Sequence, residues 1–209
     1  MPLALDACDV DFAVGCGYKF LNGGPGAPAF IYAAPRHQGQ FQQPLSGWFA
    51  HEDPFGFHPT YAPDKGIKQY LCGTPPVLSM VAFDEALSLW EDVELPALFH
   101  KSQQLCSYFI ALIEAKCDGH GLALLTTKDQ DRRGSHVALC HPTGGYAMIS
   151  ALIDSGVIGD FRHPDILRFG ITPLYTSFED IWQAVDIFAR ILDDKSWDQP
   201  HYHQRKTVT

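Results

Sequence analysis

Gly15-Cys16-Gly17-Tyr18-Lys19-Phe20-Leu21-Asn22-Gly23-Gly24-Pro25-Gly26 puts a lysine just past a strand end, in a turn of small residues, ahead of a glycine- and proline-rich loop. Before it, Asp9-Val10-Asp11-Phe12-Ala13-Val14 alternates and is rich in β formers, so it reads as a short strand. After it, Ala29-Phe30-Ile31-Tyr32-Ala33 reads as a second strand, apolar throughout, as expected of a strand covered on both faces. The pair reads as the edge of a larger α/β sheet. Strand ends in such sheets are where ligands bind. A lysine partly shielded from water there can form a Schiff base with a carbonyl. The competing reading is an ordinary surface lysine beside a loop.

Outward from this stretch, residues 35–76 show little periodicity but many glycines and prolines. The same segment holds Phe41, Trp48, Phe49, Phe55, Phe57, Tyr61 and Tyr70. A connection this long is uncommon unless it has a function, and its aromatics argue that it packs rather than floats. Val77 to Trp90 and Leu95 to Cys117 carry apolar residues at helical spacing, with a break near Pro96. Beyond Gly119, strands are expected at Leu122–Thr126, His136–Cys140, Val157-Ile158 and Leu167-Arg168-Phe169. Tyr146 to Ser155 reads as a helix stopped by Gly156, and Ser177 with Asp180 as a capping box opening a helix to Leu192. The polar tail from Ser196 is expected to fray.

The chain has 209 residues, 46% hydrophobic and 19% charged, which is globular composition. Lys plus Arg total 15 against 24 for Asp plus Glu, a formal net charge of −9. No basic face is visible, so nucleic acid and acidic membranes are not expected partners. No run approaches the roughly 20 apolar residues of a membrane span, and Met1 to Val10 has no signal-peptide pattern. Cys8, Cys16, Cys72, Cys106, Cys117 and Cys140 are scattered without a CxxC pair, which suits free thiols and a cytoplasmic location. No histidine shows helical i, i+4 pairing with a nearby carboxylate, so no metal site is expected. Gly23-Gly24-Pro25-Gly26 is not a nucleotide P-loop.

Tyr18-Lys19 with the Asn22–Gly26 loop resembles kynureninase, a fold type I enzyme that uses pyridoxal 5′-phosphate (PLP). Ser46-Gly47-Trp48-Phe49 is similar to the family's phosphate-contacting tryptophan segment, and Gly73-Thr74-Pro75-Pro76 to a second phosphate-side segment. Arg168-Phe169-Gly170-Ile171-Thr172-Pro173-Leu174-Tyr175 is similar to the strand carrying its carboxylate-binding arginine. The motifs run in the family's order along essentially the whole chain. The resemblance implies an α/β fold: part of a PLP-dependent transferase (aspartate aminotransferase-like) fold, with a small α+β C-terminal domain. Residues 1–76 would close the large PLP-binding domain, 77–118 would be connecting helices, 119–195 the small domain and 196–209 a tail.

The resemblance also implies roles. Lys19 would be the Schiff-base lysine and the base at the substrate's Cα. Tyr18 would bond the PLP phosphate and act as an acid toward the β-carbon. Trp48 and Thr74 would donate to phosphate oxygens. Arg168 would take the substrate's α-carboxylate. Arg162 competes for that role, and Arg168 is preferred because an unpaired charge in an apolar strand would be costly. The implied reaction is hydrolysis of L-kynurenine or 3-hydroxykynurenine to anthranilate or 3-hydroxyanthranilate and L-alanine, in tryptophan catabolism. The parent protein is expected to be a homodimer, with the segment from Trp48 to Thr74 crossing between subunits.

Such enzymes also need an aspartate on the PLP pyridine nitrogen. Asp6, Asp9 and Asp11 lie too close to Lys19 in sequence to fill that place. The expectation is therefore the C-terminal half of a kynureninase, with little or no activity alone. The alternatives are another fold type I PLP lyase, such as a cysteine desulfurase, or an inactive remnant. Against the desulfurase, Tyr18 stands where those enzymes typically carry histidine.

Overall fold

The computed structural model describes residues 3–205. The chain forms two compact units, one over Leu3–Val93 and one beginning at Glu94. The boundary thus falls inside the segment read as connecting helices.

In the first unit, β1 (Phe12–Cys16) and β2 (Ala29–Ala33) form an antiparallel pair, with Phe12 opposite Ala33 and Cys16 opposite Ala29. β1 starts later than the alternation suggested. Asp9 adopts a left-handed φ of 52°, which ends any strand there. Arg36 then ties the entry down, donating to the Asp9 carbonyl at 2.8 Å and to Asp11 Oδ1 at 2.7 Å. The expectation of a strand covered on both faces does not hold for β2. Ala29, Phe30 and Ile31 are exposed, and only Ala33 is buried.

The long connection is ordered by backbone contacts rather than by a core. It contains two short 3-10 turns, Trp48–Ala50 and Ile67–Tyr70, and an isolated bridge between His51 and Pro63. α1 (Val77–Ser88) follows the two prolines and has no fully buried residue.

The second unit holds the core. Its elements are α2 (Leu95–Lys116), β3 (Ala123–Leu124), β4 (His136–Cys140), α3 (Gly145–Asp154), β5 (Asp160–Arg162), β6 (Ile166–Gly170) and α4 (Phe178–Asp193). The four strands form an antiparallel sheet in the order β3-β4-β6-β5. Pro96 sits in the first turn of α2, where its missing N–H costs nothing. Leu98, Leu105, Phe109 and Ile113 recur down one face of that helix and are buried. Ile181, Val185, Phe188 and Leu192 do the same on α4. The capping box forms as read: Ser177 Oγ accepts from the Asp180 N–H at 3.1 Å, and Asp180 Oδ2 from the Ser177 N–H at 2.7 Å. Val137, Leu139, Leu167 and Phe169 point from β4 and β6 into the same core. The unit is therefore a helical layer on one face of a sheet, the α+β arrangement expected.

Two expectations are corrected here. Val157-Ile158 is not a strand; Ile158 is 84% exposed, and the pairing strand is the charged Asp160–Arg162. The tail does not fray through Arg205. Trp197 and Tyr202 pack against the core, and the Trp197 ring lies 5.7 Å from that of His141. Two aromatics bury enough apolar surface to hold an otherwise polar segment. Residues 206–209 of the tail lie outside the described residues.

Candidate active site

The lysine turn is built by backbone. At the exit of β1, the Gly17 N–H donates to the Pro28 carbonyl at 3.0 Å, and the Gly17 carbonyl accepts from Gly23 N–H at 3.0 Å. A Cβ on Gly17 would lie 2.7 Å from the Phe83 ring of α1, and one on Gly23 2.6 Å from it. Only glycine lets both backbones close onto that ring. Asn22, Gly24 and Gly26 have φ of 59°, 70° and 94°, so the loop winds through left-handed positions. Phe20 packs on Trp90 with ring centroids 5.4 Å apart, which anchors one side of the turn.

That scaffold presents Tyr18 and Lys19 at its tip. Both are exposed, and Lys19 Nζ lies 5.2 Å from the centroid of the Tyr18 ring. Neither Lys19 Nζ nor Tyr18 Oη has a hydrogen-bond or ion-pair partner among the described residues. The carboxylates that precede Lys19 along the chain are engaged by other residues. Asp6 accepts from the Tyr32 hydroxyl, Asp9 pairs with Arg36 at 2.8 Å, and Asp11 pairs with Arg36 and His37. The hydrogen bonds of His37 and Arg36 hold the Asp11 carboxyl below its ordinary range.

Trp48 and Thr74 sit on segments that the structure brings together. A Cβ on Gly47 would lie 1.6 Å from the Cys72 carbonyl oxygen, and Cys72 Sγ donates to the Leu45 carbonyl at 3.0 Å. Trp48 is 47% exposed, so it is not a core residue under the loop. Its ring forms the wall of a cavity of about 450 Å³ with His51, Phe55, Phe57, His58 and Tyr61. Thr74 does not cap α1, whose N-cap is Pro76 with no side-chain hydrogen bond. The indole N–H and the threonine hydroxyl both lack partners among the described residues. An exposed amine beside a phenol, and separately an indole N–H and a hydroxyl without partners, are groups whose chemistry fits the aldehyde and phosphate of PLP, though no contact joins the Lys19–Tyr18 pair to Trp48 or Thr74 among the described residues.

Arg168 belongs to the second unit. It lies on β6 between two core residues, so its side chain leaves the sheet on the face opposite the helices. It is not an unpaired charge. Nε donates to Asp160 Oδ1 at 2.8 Å and Nη2 to Asp160 Oδ2 at 2.6 Å, across the β5–β6 register. The Arg168 bond holds the Asp160 carboxyl below its ordinary range. Asp160 was missed in the sequence. The signal was hairpin arithmetic: with Arg162 opposite Ile166, two steps out on each strand places Asp160 opposite Arg168.

Elsewhere burial pushes up the thiols of Cys106 and Cys117, Cys117 to about 11, which disfavours the reactive thiolate at both. Among the described residues, no group of three or more His, Cys, Asp or Glu is placed to hold a metal ion. No helix among them is long and apolar enough to cross a membrane.

The fold corresponds to about half of that of PLP-dependent fold type I enzymes. A cysteine desulfurase from Thermococcus onnurineus NA1 aligns over 91% of this chain and 49% of its own, with TM-score 0.74 and 14% identity. A cystine C–S lyase, solved with its product cysteine persulfide, aligns over 90% and 49%, with TM-score 0.75 and 18% identity. At such identities the likeness speaks for the fold alone.

Within that class the sequence resembles kynureninase, and this resemblance holds. Residues 98–188 match the family model described as Kynureninase C-terminal domain. Kynureninases of Pseudomonas fluorescens and Burkholderia mallei are each 46% identical over all 209 residues. The chain spans about half the length of the curated relatives it matches, 50% in each case.

Proposed function

We propose that this chain supplies the lysine, phosphate-side and carboxylate-side groups of a kynureninase, which hydrolyses the Cβ–Cγ bond of L-kynurenine to anthranilate and L-alanine. The observation that carries the reading is Lys19: an amine with no hydrogen-bond or ion-pair partner among the described residues, beside the Tyr18 ring, at the tip of a loop whose backbone is locked by Gly17 and Gly23. The 46% identity to kynureninases along the whole chain supports it.

In this reading Lys19 Nζ would hold PLP and would serve as the base for the proton on the substrate's Cα. Tyr18 Oη donates toward the phosphate and delivers a proton at the β-carbon. Trp48 Nε1 and Thr74 Oγ1 donate to phosphate oxygens. Arg168 receives the α-carboxylate. When bound, PLP supplies the electron sink for the carbanionic chemistry. The assembled enzyme is a cytoplasmic homodimer. The second reading, a cysteine desulfurase, is favoured by the fold likeness, but Tyr18 in place of the histidine typical of those enzymes and the 14% identity speak against it.

The test is titration of the chain with PLP, followed by absorption. A near-ultraviolet or visible band of lysine-bound PLP is expected, and Lys19→Ala should remove it. A band that persists unchanged in the variant, or no band in the wild type, would sink the role of Lys19. With L-kynurenine added, anthranilate fluorescence should rise little, because Asp6, Asp9 and Asp11 are all engaged by other residues. Turnover near the common enzymatic rate of about 10 s⁻¹ would overturn that part.

A further inference from the structure

β6 and β5 place an aspartate against the arginine that the proposed function assigns to the substrate carboxylate, and the present inference rests on that assignment. The helices of the second unit cover one face of its sheet, where Val137, Leu139, Leu167 and Phe169 are buried. The residues between them, His136, Ala138, Arg168 and Ile166, share the other face with Asp160 and Arg162. No helix of this unit covers them, and all are at least partly exposed.

The pair on that face is oriented. Asp160 takes the side of the guanidinium, accepting from Nε at 2.8 Å and from one N–H of Nη2 at 2.6 Å. A guanidinium has five N–H groups in one plane. Two are used. The end of the fork, Nη1 with the outer N–H of Nη2, has no other partner among the described residues. A second carboxylate can therefore dock end-on in the same plane, while the first stays in place.

Charge makes the arrangement receptive. Asp160 Oδ2 also forms an ion pair with Arg162 Nη2 at 3.1 Å, so one carboxylate serves two guanidiniums. One positive charge remains for an incoming anion. A lone Asp–Arg pair would be neutral and would compete with the ligand instead. Arginine carries substantial rotamer entropy, and holding the fork in plane beforehand removes that cost from ligand binding.

We propose that Asp160 is a positioning residue: it holds Arg168 with the outer edge of its guanidinium presented to the α-carboxylate of an amino acid. It acts through Arg168 and does not itself touch the ligand.

The experiment compares binding of L-alanine and L-alaninamide, which differ only in the carboxylate, to the PLP-loaded chain by isothermal titration. The readout is the ratio of the two affinities, which a general loss of structure would not shift selectively. Wild type is expected to prefer L-alanine at least tenfold. Asp160→Asn should reduce that preference several-fold or more, mostly by weakening L-alanine. Asp160→Glu keeps the charge but pushes the guanidinium outward by a methylene, and should reduce the preference with the fold intact by circular dichroism. Arg168→Gln should abolish it. If Arg168→Gln abolishes the preference while both Asp160 variants keep it or sharpen it, the positioning role is overturned and the reading of Arg168 survives. If wild type shows no preference, or Arg168→Gln leaves it unchanged, the assignment of Arg168 fails and the inference falls with it.

Discussion

His141 shows how a single side chain sets a pH dependence that its sequence neighbours do not announce. Its Nδ1 accepts from the Gly144 N–H at 2.8 Å and from the Thr143 N–H at 3.4 Å, holding the turn into α3. That nitrogen must stay unprotonated to accept. Partial burial lowers its pKa from the ordinary 6.5, against a smaller opposing bond to the His120 backbone. The folded state therefore resists the proton that the unfolded chain takes up near pH 6.5. Stability from this group is present above that pH and is lost as pH falls through it toward the lower folded value. His141→Asn keeps an acceptor in the place of Nδ1 but does not titrate. Thermal melts between pH 7.5 and pH 5 should show the wild type losing stability relative to this variant on acidification; parallel curves would place the proton uptake elsewhere. The identities of the candidate catalytic groups, Lys19, Tyr18, Trp48, Thr74 and Arg168, could be read along the chain because each sits in a distinctive local motif. Asp160 could not, because a lone aspartate in a short polar stretch has meaning only once its cross-strand neighbour is known.

Among the elements, the close approach of Gly47 to Cys72, just before the first 3-10 turn and just after the second, is the joint beside Trp48 and Thr74. Gly47 has an extended φ of −157°, which any residue adopts, so its requirement for glycine is purely steric. An added Cβ would overlap the Cys72 carbonyl at 1.6 Å. Gly47→Ala should cost roughly 1–3 kcal/mol and weaken PLP binding together with stability. Gly73→Ala is the control: a Cβ there meets nothing within 4 Å, and its effect should stay within about 0.5 kcal/mol. Melting and PLP titration of both variants check this, and equal behaviour of the two would deny the Gly47–Cys72 approach its role. Helices were legible because their 3.6-residue apolar spacing is long and repeated: Leu98, Leu105, Phe109 and Ile113 on α2 announce a buried face before any partner is known. β5 was not legible. Asp160 and Arg162 share one half-exposed face, and a three-residue edge strand with only Phe161 between them has no apolar period to detect.

Taken as a whole molecule, the two units differ in how they are held. The second has a continuous core from Leu105 to Leu192, including Leu139, Met148, Leu152, Leu167 and Phe188, all essentially removed from water. Each such side chain contributes on the order of 1.5–3 kcal/mol. The first fully buries only Gly17, Ala33, Ala34, Ala50 and Gln69, none of them a large apolar side chain, and α1 buries nothing fully. Residues 94–209 expressed alone should unfold in one cooperative thermal transition, while residues 3–93 alone should not. Cooperative melting of the shorter piece by itself would contradict this account of its packing.

The amino-acid sequence by itself determined the helices of the second unit, the capping box at Ser177, the lysine turn and the order of motifs that resembles kynureninase. Those features are local: periodicity, caps and glycine turns act over a few residues, and adjacent positions carry the signal. Only the tertiary structure decided that Arg168 is shared with Asp160, that Trp48 stands half-exposed on a cavity wall, and that Trp197 and Tyr202 hold the tail to the core. These depend on groups that are distant in sequence meeting across a sheet or against a core, and no short stretch of chain encodes which partner it will meet.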